Sequence, residues 1–278
     1  LIDNSYGYEV SVIADSINDY GNRLTTFQLK YPRMIHAEVM THRVFSRNAA
    51  STRAIPTAKK AARVLRDPAT PVCWGSNKPG MQAGSELTGI RKALAKAAWR
   101  TGSFAAAGTA WTLSKIGVHK QIAGRPLEPF ESIHVIITAT DFDNWFNLRL
   151  HADAQPEIYE LAALMRREMT SSDPRHLKQG KWHLPYIVPT LDSIHATSGV
   201  TDLIQFSAAR CARVSYTNHD NSNPSPAKDR RLAHTLYTSG HMSPFEHQAK
   251  PKKNAPGNFT GWEQARHNKM VADLFSYY

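Results

Sequence analysis

The sequence predicts an α/β (α+β) fold, and three observations carry that reading. Segments with helical apolar spacing alternate with a few short β-branched or aromatic runs, the pattern of a sheet packed by helices. At 278 residues the chain is long enough for one large domain with a substantial core. Its 41% hydrophobic and 21% charged residues are those of an ordinary globular protein, which excludes a disordered or fibrous one.

Taken in order, residues 24–30 alternate and are rich in Thr and Phe, so they read as a strand, ended by Pro32. Residues 33–43 have helical spacing, with Ile35, Val39 and Met40 on one side. Residues 44–56 are polar, small and aperiodic, hence a loop, and Thr57 can cap a short helix to about Arg66. Residues 67–83 hold Pro68, Pro71, Gly75, Pro79 and Gly80, a long connection of the kind that tends to be functional or mobile. Residues 85–99 are helical, with Leu87, Ile90, Leu94 and Ala97 on one face and Arg91, Lys92, Lys96 and Arg100 mostly on another. A second helix is expected over roughly 104–116.

Residues 133–137 form a β-branched buried strand, and 141–149 a helix capped by Asp141. The clearest amphipathic helix is 154–169, with Ile158, Leu161 and Met165 inward and Arg166 and Arg167 in its last turn. After a polar break at 171–180, helices are expected at about 202–214 and 226–239, then Gly240 and an extended piece. There is no internal repeat and no low-complexity tract.

No apolar run approaches the length of a membrane span. The start of the sequence has no basic-then-apolar leader pattern, and only two cysteines occur, Cys73 and Cys211. The expected compartment is therefore a reducing cytoplasm, with neither a disulfide framework nor a zinc set. The sequence has no Walker-type loop, dinucleotide fingerprint, H-E-x-x-H or G-x-S-x-G elbow, and its histidines do not pair at metal-ligand spacings.

Charge is concentrated. The whole chain is formally +11, yet residues 39–127 hold 15 Lys and Arg against only Asp67 and Glu86, a local net of +13. Such a block points to an anionic partner, or else to solvated helix faces. Within it, residues 41–53 read Thr-His-Arg-Val-Phe-Ser-Arg-Asn-Ala-Ala-Ser-Thr-Arg. Guanidiniums that grip phosphate bidentately, hydroxyls and free loop N–H groups together make an anion cradle. The plainer alternative is a solvated basic turn.

The order of these residues resembles the R-H-R-x-x-S-x-N-x-x-S-x-R signature of the flavin-dependent thymidylate synthases. His42, Arg43, Ser46, Asn48, Ser51 and Arg53 all match, and only Thr41 departs. Residues 144–158, Asn-Trp-Phe-Asn-Leu-Arg-Leu-His-Ala-Asp-Ala-Gln-Pro-Glu-Ile, resemble that family's N-F-x-x-L-R…D-x-x-A-Q-x-E-I region. His119-Lys120-Gln121 leading to Arg125-Pro126-Leu127 resembles its arginine-bearing segment. Cys211-Ala212-Arg213-Val214-Ser215-Tyr216 resembles its A-A-R-x-S/C-Y, and residues 240–247 resemble its G-H-x-S/T-P-F-E-H. In most members these last two motifs precede the R-H-R loop. Here they follow it, as in a circularly permuted or phage-type branch, in the host cytoplasm if phage-encoded.

The resemblance implies one domain with a central mixed sheet flanked by helices. The implied activity is transfer of a one-carbon unit from methylenetetrahydrofolate to C5 of dUMP, with FAD as cofactor, NADPH as reductant and no cysteine nucleophile. By motif position, Ser51 and Arg53 would bind the nucleotide phosphate, helped by N–H groups at Ala50 and Thr52. Arg149 would contact and polarise the pyrimidine, Arg125 would be a further nucleotide arginine, and Glu38 lies near the nucleotide; the catalytic set is Arg149, Ser51 and Arg53. His42, Arg43, Val44, Asn48, Asn144, Ser215, Ser243 and Glu246 match flavin contacts, and His241 is a folate-side candidate. No metal is implied. Each has a plainer role as a cap, helix-end cation or surface pair.

Glu38 stands where the family commonly has Gln, and Ala49 where it commonly has Glu. A carboxylate accepts hydrogen bonds but cannot donate them, so it suits a ring N–H or exocyclic amine better than a carbonyl. Another pyrimidine monophosphate such as dCMP, and a hydroxymethyl product, therefore stay open. A nucleic-acid-binding protein using the basic block is a lesser reading. The resemblance further implies a homotetramer with shared active sites.

Overall fold

The computed structural model describes residues 7–51, 53, 55–187, 199–215 and 225–276. Its centre is a five-stranded sheet in the order β3-β4-β2-β1-β5, made of β1 (Glu9–Asn18), β2 (Arg23–Pro32), β3 (Ser46–Ala49), β4 (Ser132–Ala139) and β5 (Arg175–Leu177). The β1–β5 pairing is parallel and the others antiparallel, so the sheet is mixed. The α/β class is as expected from the sequence.

Strand β2 explains the layering. Its odd residues Phe27, Leu29 and Tyr31 face one way and join Val135 and Ile137 of β4 in the main core. That core is closed by α5 (Asp143–Arg149) and α6 (Pro156–Ser171), through Trp145, Phe146, Ile158, Leu161 and Met165. Ile136 of β4 packs on the opposite face with Cys211 and Val214 at the end of α7 (Val200–Arg213). Also on that side, Gln28 accepts from the Tyr186 hydroxyl at 2.6 Å. Alternate side chains of one strand thus serve two layers.

The remaining elements are α1 (His36–Val39), α2 (Thr57–Arg66), α3 (Gly89–Lys115), α4 (Lys120–Ala123), α8 (Pro226–Thr238), α9 (Lys269–Ser276) and a ribbon of β6 (Ala249–Pro251) with β7 (Trp262–Gln264).

Several sequence expectations are corrected. The expected loop over 44–56 contains β3, an edge strand whose polar residues gave no periodic signal. The helix expected over 33–43 is a 3-10 turn plus the four-residue α1, ending before Thr41. Thr57 lies inside α2 and makes no capping bond; Pro56 holds the cap position. The two helices expected over 85–99 and 104–116 are the single 27-residue α3. A Cβ on Gly102 would sit 3.2 Å from the Phe130 ring, so this glycine keeps the helix and lets that ring close in. The face holding Ile90, Leu94 and Ala97 is exposed, whereas Ser103, Ala107 and Ala110 are buried against α2 and the turn before β4. Asp141 is not the cap of its helix, which starts at Asp143 with Phe142 in the cap position; it sits one residue earlier and accepts the Asp143 N–H at 2.9 Å. Strand β1 has no counterpart among the sequence expectations.

Candidate functional site

The turn after α1 sets the first cluster. Arg47 donates from one guanidinium nitrogen to the carbonyls of Met40 and His42, tying the turn to β3. The buried His42 ring then stacks on Phe45, centroids 5.7 Å apart, and meets Trp145 edge-on at 4.8 Å. Arg149 ends α5, where a cation suits the helix dipole. Its Nε donates to His42 Nε2 at 3.1 Å and its Nη1 to Glu38 Oε2 at 3.3 Å. Since Nε2 accepts, the neutral imidazole carries its proton on Nδ1. Burial, then Arg149 and Arg47, push His42 below the ordinary histidine range. Glu38, His42 and Arg149, 111 residues apart at the extremes, are therefore one unit.

Asn48 of β3 sets the second cluster. Its Nδ2 donates to the Cys211 carbonyl at 2.7 Å, and its Oδ1 accepts from Ser243 Oγ at 3.1 Å. One amide joins the loop of 41–53 to both motifs from the far end of the sequence. Gln264 of β7 reinforces this, donating to Ser46 Oγ at 3.0 Å and to the Glu246 carbonyl at 2.9 Å. The chain leaves α7 through Val214 at φ 54°. A β-branched residue in this left-handed region stores strain of about 1–3 kcal/mol, held here by bonds from the Val214 and Ser215 N–H groups to the carbonyls of Cys211 and Arg210.

The other sequence candidates lie around these clusters. Arg43 and Val44 are exposed, and the Val44 carbonyl accepts from Asn258 at 2.9 Å. Asn144 is exposed in the first turn of α5, and Ser215 is half-buried. Glu246 forms an ion pair with Arg266. His241 is exposed and its Nδ1 contacts Ser239 Oγ at 2.9 Å. Arg125 is exposed and pairs with Glu128 at 3.1 Å.

Beyond the other end of β3, Ser51 Oγ accepts the Arg53 N–H at 3.3 Å, and both residues are exposed. Thr52 lies outside the described residues. The Ala50 N–H is taken by the His134 carbonyl at 2.9 Å, extending the β3–β4 ladder, so the expectation that it serves a phosphate is corrected. Thus Ser51 and Arg53 are not brought together with Arg149 within one chain.

Sequence reading missed the cations beside Ser51. A cavity of about 310 Å³ is bounded by Ala50, Ser51, Lys30, Arg33, Lys60 and Arg63. Lys60 is only 5% exposed and pairs with Glu131 at 3.1 Å. Lys30 pairs with Glu9 at 2.7 Å and Arg33 with Glu128 at 3.4 Å. With Arg66 the lining has five cations against Glu9, Asp67 and Glu131, a net positive cavity that with the Ser51 hydroxyl can take an anionic group. Spacing in α2 alone did not separate Lys60 and Arg63 from solvated cations.

Across β1, β2 and β4, a buried polar chain runs from Ser16 through His183, Thr26 and Thr138 to His247. Its contacts are Ser16 Oγ to His183 Nδ1 at 2.9 Å, then Nε2 to Thr26 Oγ1, Thr26 to Thr138, and Thr138 to His247 Nδ1, each 2.8 Å. His247 Nε2 has no partner among the described residues. Burial pushes both imidazoles down to about 3, with Arg175 adding to the effect on His183 and His183 to that on His247.

No curated protein matches the chain. Among solved structures, the UMP/dUMP methylase PolB from Streptomyces cacaoi, described as bound with 5-Br UMP, is 16% identical to it. That similarity covers 59% of this chain and 88% of that one, with a TM-score of 0.47. Residues 24–175 match the family model Thy1, described as thymidylate synthase complementing protein. The match takes in β2, the Glu38–His42–Arg149 unit and the whole 41–53 loop, and over more than half its length the chain belongs to this family, that of the flavin-dependent thymidylate synthases.

Proposed function

We propose that the chain is an FAD-dependent enzyme that transfers a one-carbon unit from methylenetetrahydrofolate to C5 of dUMP, giving dTMP, with NADPH as reductant. The observation that carries this reading is the convergence on Asn48: through this one side chain the 41–53 loop meets two motifs whose bonded residues each lie more than 160 positions from Asn48. Unrelated surface turns would have no need of that bond.

The residues present fit a phosphate-bearing flavin. Arg43 is exposed, with no ion-pair partner among the described residues, and Asn144 offers an exposed amide nearby in sequence to Trp145. Asn48, Ser243 and Glu246 already hold other protein groups, so their role in this reading is to brace the cofactor wall. Once reduced by NADPH, a bound FAD would supply the hydride that reduces the transferred carbon. The chain's own part is binding and polarisation. Arg149, held by Glu38 and His42, is oriented to polarise a pyrimidine carbonyl and ease attack at C6. Ser51 and Arg53 hold the phosphate, Arg125 adds a further nucleotide contact, and His241 lies on the folate side.

A homotetramer with shared sites belongs to the same reading. Two features support it. Ser51 and Arg53 lie past one end of β3 while Arg149 lies before the other, so one chain leaves the nucleotide residues divided. In addition, Ile90, Leu94, Ala97, Thr101, Phe104, Gly108 and Trp111 repeat at alternating three- and four-residue steps along α3 and are all exposed, the seam of a helix that packs on another. A single domain belongs to the same reading.

Glu38 favours a second reading, a related C5 methylase or hydroxymethylase acting on dCMP, because its carboxylate can accept from an exocyclic amine. The test is reconstitution with FAD. A yellow protein whose flavin is retained on gel filtration supports the enzyme; a folded, colourless protein that takes up no FAD refutes it.

A further inference from the structure

The connection between α2 and α3 builds a second cavity, which none of the motif residues line. Its volume is about 380 Å³, and its walls are Pro68, Pro71, Trp74, Trp99, Lys96 and Arg100, with Thr70 and a single carboxylate, Asp67, against the two cations. The Trp99 indole is fixed from two directions. Trp99 Nε1 donates to the Ala69 carbonyl at 2.9 Å, and its ring meets Phe130 edge-on at 5.1 Å. At Trp74 it is the backbone that is held: its amide N–H donates to the Glu86 carboxylate at 2.7 Å, and its carbonyl accepts the Leu87 N–H at 2.8 Å.

Glu86 is the anchor of this loop. It also accepts from the Cys73 thiol at 2.6 Å and pairs with Lys92 at 2.7 Å. The two indoles meet edge-to-face, centroids 6.2 Å apart at 83°. Arg100 is held at the rim by the Leu65 carbonyl and lies over the Phe104 ring. Lys96 has no ion-pair partner among the described residues. A mere satellite core would close over two such rings; here they line open space beside a cation.

We propose that this cavity is a binding subsite for a flat heteroaromatic ring bearing an anionic group. The ring lies against Trp74 and Trp99 between the proline walls, and Lys96 and Arg100 meet the anion. Planar π-systems with apolar flanks accept rings with little regard to their substitution, while the cations require a phosphate or carboxylate. The subsite stands apart from the Glu38–His42–Arg149 unit and does not depend on the activity proposed above. Two sources carry this chemistry, a nucleoside phosphate and an aryl carboxylate.

The full chain, labelled with 5-fluorotryptophan, distinguishes them. Trp74→Phe and Trp99→Phe assign the two resonances, and ADP, folic acid and inorganic phosphate are titrated separately. Saturable shifts of both resonances are expected with ADP or with folic acid, and the responding arm names the source; phosphate alone shifts neither. Lys96→Ala weakens the effect about fivefold, the scale of one exposed charge contact, and Arg149→Ala leaves it in place. Absence of shifts with both ring compounds up to about 10 mM, beyond the range of a useful subsite, overturns the proposal. So does a response unchanged by Lys96→Ala, or one abolished by Arg149→Ala.

Discussion

Acid should weaken the fold through His183 and His247, and the size of the effect follows from their burial. Both side chains are 0–1% exposed and both imidazoles are pushed down to about 3. In the unfolded chain each would titrate at about 6.5. Between those values the unfolded state binds the extra proton and the folded state does not. The stability contributed by the neutral rings is thus fully present above about pH 6.5 and is lost as pH falls toward 3. Within that window each histidine adds a slope of about 1.4 kcal/mol per pH unit. From pH 6 to pH 4 the two together remove roughly 5 kcal/mol, comparable to the whole stability of many domains. Urea unfolding followed by circular dichroism at a series of pH values measures this directly. His247→Gln, which keeps a polar side chain against Thr138, should halve the pair's share of the slope. A slope unchanged in that variant, or imidazole resonances of the folded protein titrating near pH 6.5, would refute the reasoning.

Further expectations concern the site and its frame. Arg53→Ala should weaken dUMP binding at least tenfold by calorimetry, the loss of one charge-assisted phosphate contact, while FAD uptake persists; unchanged nucleotide affinity would remove Arg53 from the phosphate role. Cys73→Ala and Cys211→Ala should keep turnover when folded, because Glu86 raises the Cys73 thiol and burial raises Cys211, leaving neither a ready thiolate. A folded, inactive Cys variant would indicate a covalent cysteine. Asp229→Asn should cost about 3–5 kcal/mol in urea unfolding, because buried Asp229 faces Arg210 at 3.3 Å and Arg213 at 2.8 Å; a loss under about 1 kcal/mol would contradict a stabilising role for this triad.

What the sequence made legible was local. The apolar stripe of α6 and the alternation of β2 follow from a single period, and Ile158, Leu161 and Met165 are buried as that period demands. Strand β1 escaped notice because its register shifts between Val12 and Ala14, breaking the alternation midway. Strand β3 escaped because Ser46-Arg47-Asn48-Ala49 is polar and pairs on one side only. The order of residues in 41–53 pointed to the site region, yet not to its internal bonds. Arg149 reaching His42, and Asn48 reaching Cys211, are contacts across more than 100 residues that no local pattern encodes. Of the exposed stripe of α3 only Ile90, Leu94 and Ala97 were read as one face, within a helix expected to stop at 99, and spacing could not tell a core from an unoccupied seam.

The most direct test of the proposed chemistry is anaerobic turnover of the FAD-loaded protein with methylenetetrahydrofolate, NADPH and either dUMP or dCMP, followed by product mass. A dUMP-derived product heavier by one methylene, formed only when FAD is bound, is the expected result. An FAD-loaded protein that leaves the mass of both nucleotides unchanged would contradict it.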